Sequence, residues 1–124
     1  MINQVLLYLG SAVIAIWGIA HLFPTRSVVS GFGDISIDNK RIIAMEWIVE
    51  GVALVFIGSI NAIVTAIDHT SSISLAIYFS SVVILIVLAV VSFFTGFKIR
   101  FLPFRLCPMV FITSAVLIIV GSCL

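Results

Sequence analysis

"ISLAIYFSSVVILIVLAVVSFFTGF", Ile73 to Phe97, runs for 25 residues without one charged side chain. An apolar stretch of about 20 residues is what it takes to cross a hydrocarbon core about 30 Å thick, so the segment reads as a transmembrane helix. In lipid every backbone N–H and C=O must be satisfied within the protein, and a chain carrying such a segment is built from helices. The remaining sequence agrees. Of its 124 residues 63% are hydrophobic and 9% charged, and the mean hydropathy is +1.40. Soluble domains are roughly half apolar and a quarter charged. The expected fold is therefore all-α, an integral membrane antiparallel four-helix bundle forming one domain over 1–124. Six basic and five acidic residues, for a net charge of +1, leave no basic face of the kind a nucleic-acid partner needs.

Working outward, "VLLYLGSAVIAIWGIAHLF" gives a first helix over 5–23, closed by Pro24, whose ring cannot continue the hydrogen-bond ladder. "MINQ" has no basic residue ahead of this run, so the run reads as a retained helix and not as a secretory signal. A polar connection from Thr25 to Arg41 follows, with "GFGD" (31–34) as its turn signal and Asp38 as the expected N-cap of the next helix. That second helix is expected over 42–67, its start falling at Asn39 or Ile42. "DHTSS" is a short polar turn, the third helix covers 73–97, and the fourth runs over about 107–123.

Arg26, Lys40 and Arg41 fall between helices 1 and 2, and Lys98, Arg100 and Arg105 between helices 3 and 4. An up-down chain places both connections on one side, and the positive-inside rule makes that side cytoplasmic, with both termini outside. "FKIRFLPFRLCP" (97–108) interleaves cations with Phe97, Phe101 and Phe104. It reads first as an interfacial anchor, and second as a site for an anionic lipid. Cys107 and Cys123, about 24 Å apart along one helix, are beyond disulfide reach and read as apolar filler.

"MEWIVEG" (45–51) places Glu46 about 7 Å and Glu50 about 13 Å below Arg41, the latter near the middle of the core. Coming from the other direction, His21 and Trp17 on helix 1 reach about the same two levels. At about 100° per residue Glu50, Ile57, Asn61 and Asp68 form one polar stripe on helix 2. On helix 1 the matching stripe is Gly10, Ile14, Trp17 and His21, with Ser11, Ala15 and Gly18 beside it. Gly58, Ala62 and Ala66 supply the small-residue spacing that lets membrane helices approach closely.

Ionisable groups inside a membrane are functional by default, although a hydrogen-bonded network that only fixes packing would use the same residues. An acid beside a histidine in low-dielectric surroundings is poised to exchange protons, and two acids four residues apart titrate together. Three chemistries fit: acid–base work on a buried sterol, polyprenyl chain or quinone; a metal site, disfavoured because no second histidine lies nearby; and a proton path along Glu50, Asn61 and Asp68 in an oligomer.

"GIAHLF" (18–23), followed by a basic connection and "MEWIVEGVALVFIG" (45–58), resembles the DoxX-like group of small four-helix bacterial membrane proteins. The resemblance covers about the first half of the chain. It implies a bacterial inner-membrane location and, for a few members, association with quinone-linked redox chemistry or thiol stress, the latter without a cysteine pair here to carry it.

The resulting expectation is an intramembrane pocket opening to the cytoplasmic leaflet. Glu50, Glu46 and His21 are its candidate proton-exchanging residues, Trp17, Trp47 and Asn61 its ligand-binding ones, with no metal. Its ligand would be apolar, a quinone or a lipid. The runner-up is a non-enzymatic subunit, in which the same residues hold helices or a membrane-protein partner together; the small-residue faces also allow a homo-oligomer.

Overall fold

A computed structural model describes residues 1–124. It contains five helices and no strand: α1 (Ile2–Leu22), α2 (Thr25–Ser30), α3 (Ile37–Asp68), α4 (Ser72–Gly96) and α5 (Leu102–Cys123). Four of them, α1, α3, α4 and α5, are long and apolar enough to cross a membrane, which makes this a multi-pass membrane protein. They form an all-α bundle in which α1 lies between α3 and α5, and α4 packs on α5 and, more loosely, on α3.

Local chemistry explains where each helix starts and stops. Ser36, and not the expected Asp38, caps α3: its Oγ accepts from the Asn39 N–H at 3.1 Å, so the helix begins earlier than Asn39. At 32 residues α3 is about 48 Å long, well beyond the hydrocarbon thickness, and its first turns project past the core at the basic end. The expected polar connection is partly helical. After α1 ends at Leu22, Thr25 Oγ1 donates to the Leu22 carbonyl at 2.7 Å, and the chain restarts as α2 with Val28 buried against the bundle. "GFGD" does turn the chain, with Gly33 at φ 75°. The α3–α4 turn is closed by Asp68 Oδ1, which accepts from the Thr70 N–H and hydroxyl, and by Ser71 capping α4.

α5 begins at Leu102, five residues before the expected start at Cys107. Pro103 sits in its first turn, where no intrahelical N–H is required, and Pro108 is carried inside the helix. This early start makes Phe104 a helical residue and carries it against the bundle beside the buried Cys107.

α1 approaches its neighbours at glycines. A Cβ on Gly18 would lie 2.7 Å from the Gly51 carbonyl oxygen and 2.8 Å from the Val55 nitrogen, and one on Gly58 would lie 2.5 Å from the Ser11 carbonyl oxygen. Backbone therefore packs on backbone, the contact that replaces hydrophobic driving force between helices surrounded by lipid. Around these contacts a core of Leu7, Ile14, Leu54, Tyr78, Leu85, Phe111 and Ile118 is almost wholly inaccessible. Large apolar side chains such as Phe56, Phe94 and Val83 point outward, as a lipid-facing surface requires.

Gly58→Leu should separate α1 from α3. It is expected to cost at least about 2–3 kcal/mol, read as a lowered Tm in detergent, whereas Ala66→Leu on the exposed face of the same helix should be close to neutral.

Candidate functional site

The α1–α3 glycine contact brings the end of α1 against the first half of α3, and there the two "GIAHLF" and "MEWIVEG" stretches meet. The His21 ring stacks on Trp47 with centroids 3.7 Å apart and an interplanar angle of 16°. The Trp47 Nε1–H donates to the His21 carbonyl oxygen at 2.6 Å. Phe104 from α5 packs edge-on to Trp47 at 5.3 Å. His21 is thus held by Trp47 through both its ring and its carbonyl, and is only 5% exposed.

His21 Nε2 points at Glu50 Oε2 across 3.4 Å. That is longer than the 2.7–2.9 Å of a charge-assisted hydrogen bond, and Nε2 has no hydrogen-bond partner. A buried polar atom left unpaired is unusual in a folded protein and calls for a specific cause. His21 borders a crevice of about 270 Å³, although Nε2 itself is closed to solvent. His21 and Glu50 form one side of that crevice, Leu88, Val91, Ser92 and Thr95 of α4 another, and Phe104 and Cys107 of α5 its back. The mouth lies between α3 and α4, where the Glu50 side chain is 41% exposed and Val91 and Thr95 are exposed too.

The α3–α4 seam is polar and closed at its other end. Asn61 Nδ2 donates to Ser81 Oγ at 2.7 Å, Thr65 Oγ1 and the Tyr78 hydroxyl share a hydrogen bond of 2.8 Å, and Ser74 Oγ donates to the Asp68 carbonyl at 2.5 Å. All hydrogen bonds between α3 and α4 fall in this half. Near Glu50 there are none, and the crevice occupies the gap.

Trp17 lies behind His21. It lines a separate cavity of about 80 Å³ with Ala20, His21, Pro24, Trp47 and Pro103, and its buried indole N–H also lacks a partner.

Of the expected site residues, the structure assembles His21, Glu50 and Trp47, with Trp17 adjacent. Glu46 does not join them. It is exposed, and its carboxylate has no hydrogen-bond or ion-pair partner. The buried face of α3 runs through Trp47, Gly51, Leu54, Gly58, Asn61 and Thr65. Glu50 is on the flank of that face, about 60° from Trp47, and Glu46 about 100° from it. Asn61 belongs to the closed half of the seam, about 16 Å along the helix from Glu50, and its partners make it a packing residue. Its neighbour on the expected polar stripe, Asp68, is exposed and occupied with Thr70.

Ser92, Thr95 and Cys107 are crevice residues that the reading of the sequence passed over. The first two sit three residues apart in an otherwise apolar helix, a spacing that puts them on one face. Cys107, read as filler, is buried, yet it lines the crevice with Glu50 and His21. No family, no curated protein and no solved structure matches this chain.

Trp47→Phe keeps the stack but loses the bond to the His21 carbonyl, and should lower stability by about 1 kcal/mol. Trp47→Ala also removes the wall of the site and should cost about 3 kcal/mol or more; thermal unfolding followed by circular dichroism separates the two.

Proposed function

We propose that the crevice between α3 and α4 binds the polar head of an apolar, membrane-soluble small molecule, with Glu50 and His21 exchanging a proton with it. The unpartnered Nε2 of the buried His21, aimed across a gap at Glu50 in a crevice open at the bundle side, carries this reading. The 3.4 Å between Nε2 and Oε2 holds no further atom, so a ligand oxygen would reach Nε2 from the crevice as the half-exposed Glu50 side chain swings aside, and would complete the hydrogen bonding that the protein leaves open. A rigid stack on Trp47 holds the imidazole in position, so binding would not have to spend energy ordering it.

A quinone suits the dimensions. Its ring is flat, its carbonyl oxygens accept hydrogen bonds, its isoprenoid tail stays in the lipid, and a carboxyl–imidazole pair is the type of group that hands protons to such an oxygen. Leu88, Val91 and Phe104 would supply the apolar walls that small-molecule sites generally have. The resemblance of "GIAHLF" and "MEWIVEG" to the DoxX-like group points the same way, and with it we place the protein in a bacterial inner membrane. The distribution of Arg26, Lys40, Arg41, Lys98, Arg100 and Arg105 supports an orientation with the crevice end toward the cytoplasm and both termini outside.

The competing reading, an accessory subunit whose polar residues hold helices together, is favoured by one specific feature: Asn61, Ser81, Thr65 and Tyr78 form a packing network of that kind. That network lies in the other half of the seam, so the two readings concern different residues and can be tested separately. Trp17 and Trp47 are the protein's only tryptophans, and both flank His21, so quinone binding should quench the intrinsic fluorescence. Titration with a short-chain ubiquinone analogue is expected to give saturable quenching, weakened about tenfold or more in Glu50→Gln without loss of helicity. Quenching that is linear in quinone, or identical in Glu50→Gln, would favour the accessory-subunit reading.

A further inference from the structure

The basic end of the bundle holds a second feature, separate from the crevice. Arg26 on α2 and Lys40 on α3 come together around a cavity of about 300 Å³, lined also by Thr25, Val29, Ser30 and Ala44. Neither cation has a carboxylate partner. The ion pairs of the molecule are His21 with Glu50 and Arg41 with Asp38. The Thr25 and Ser30 hydroxyls donate to the carbonyls of Leu22 and Ser27, so they have no hydrogen left for an anion and the two cations supply the attraction.

The cavity exists because α2 is a helix. A random connection after Pro24 would leave Arg26 free to sample the whole interface, whereas burial of Val28 fixes α2 against the bundle and holds Arg26 on the side facing α3. Its level also matters. Lys40 is ten residues, about 15 Å, along α3 from Glu50, which places it where lipid headgroups begin. Below Ala44, at steps of four residues on the same face of α3, come Ile48 and Val52, 44% and 55% exposed. The two cations therefore stand at the head of an apolar ridge that winds about 40° around α3 with each step as it runs into the membrane.

We propose that Arg26 and Lys40 form a binding site for a phosphate group, placed so that a phospholipid can supply it: headgroup phosphate between the cations, acyl chain along Ile48 and Val52. Arg and Lys are the usual partners of phosphate oxygens, and basic pockets between helices at the membrane surface select anionic headgroups. General attraction of positive loops to an anionic leaflet is a different effect, because it would draw equally on every cation at this end. Lys98 and Arg100 lie outside the cavity and make the matched control.

The test is native mass spectrometry of the full chain in detergent, titrated with phosphatidylglycerol, for the wild type, Arg26→Gln/Lys40→Gln and Lys98→Gln/Arg100→Gln. The altered positions are at the surface, and circular dichroism checks that all three proteins are equally helical. One phosphatidylglycerol should be retained by the wild type and by the Lys98→Gln/Arg100→Gln protein, with affinity about tenfold or more lower in Arg26→Gln/Lys40→Gln. Equal weakening in the two double variants, or none in either, overturns the site. Repeating the titration in millimolar inorganic phosphate separates the two sources of the group: retention of the lipid supports a phospholipid, and its displacement supports free phosphate as the occupant.

Discussion

The contact of Gly18 with the backbone of Gly51 and Val55 is the constraint on which the basic end of this protein depends. Lipid on the outside is as apolar as the helix surfaces, so burial of hydrocarbon does little to hold one helix on another, and close van der Waals contact has to do it. Gly18 is three residues before His21, and Gly51 is next to Glu50. The distance at which the two backbones meet therefore sets the distance between imidazole and carboxylate. A side chain at Gly18 would meet the α3 backbone, push α1 outward, break the bond from Trp47 to the His21 carbonyl, and take the histidine away from the crevice, whereas one at Gly51 would first displace the Leu22 side chain.

A second constraint acts on the other side of α3. Asn61 with Ser81 and Thr65 with Tyr78 close the α3–α4 seam at one end. Polar side chains bonded across helices in this way gain about 0.6–2 kcal/mol each in a membrane. Toward the basic end, where no such bonds exist, Glu50 faces Ser92 and Thr95 across an open gap. One helix pair thus serves two purposes, and the sequence order of its polar residues decides which half is closed. The crevice is a consequence of what is missing from the seam as much as of what lines it.

The four crossings were legible in the sequence because each is a long apolar run bounded by charges or prolines. That His21 and Trp17 meet the "MEWIVEG" segment was legible too, but the register was one turn off: counting from the basic boundary put His21 level with Glu46 and Trp17 level with Glu50, whereas His21 lies against Glu50. What depth counting does not give is rotation. Asn61 was grouped with Glu50 on the strength of a stripe of polar residues, and Glu46 on its depth and four-residue spacing, whereas the buried direction of α3 is set by Gly51, Leu54 and Gly58 packing on α1. The small residues, not the polar ones, marked the face. α2 and the early start of α5 were hidden for another reason: Pro24 was read only as closing the first helix, which it does, although it is also the N-cap of α2, and Pro103 was given no role, although it stands in the first turn of α5, where a missing N–H costs nothing. Placing Phe104 on a helix, and so in the crevice beside Cys107, follows from that position of Pro103.

The central claim is that His21 Nε2, buried and without a hydrogen-bond partner, senses Glu50 across the mouth of a crevice. Solid-state ¹⁵N NMR of the histidine-labelled protein in lipid bilayers tests it most directly, because the chain has only two histidines and His69 is identified by its contact with Gln4. The account predicts that Glu50→Gln moves the His21 Nε2 resonance and leaves both His69 nitrogens in place. A His21 Nε2 resonance that is the same in the wild type and in Glu50→Gln would contradict it.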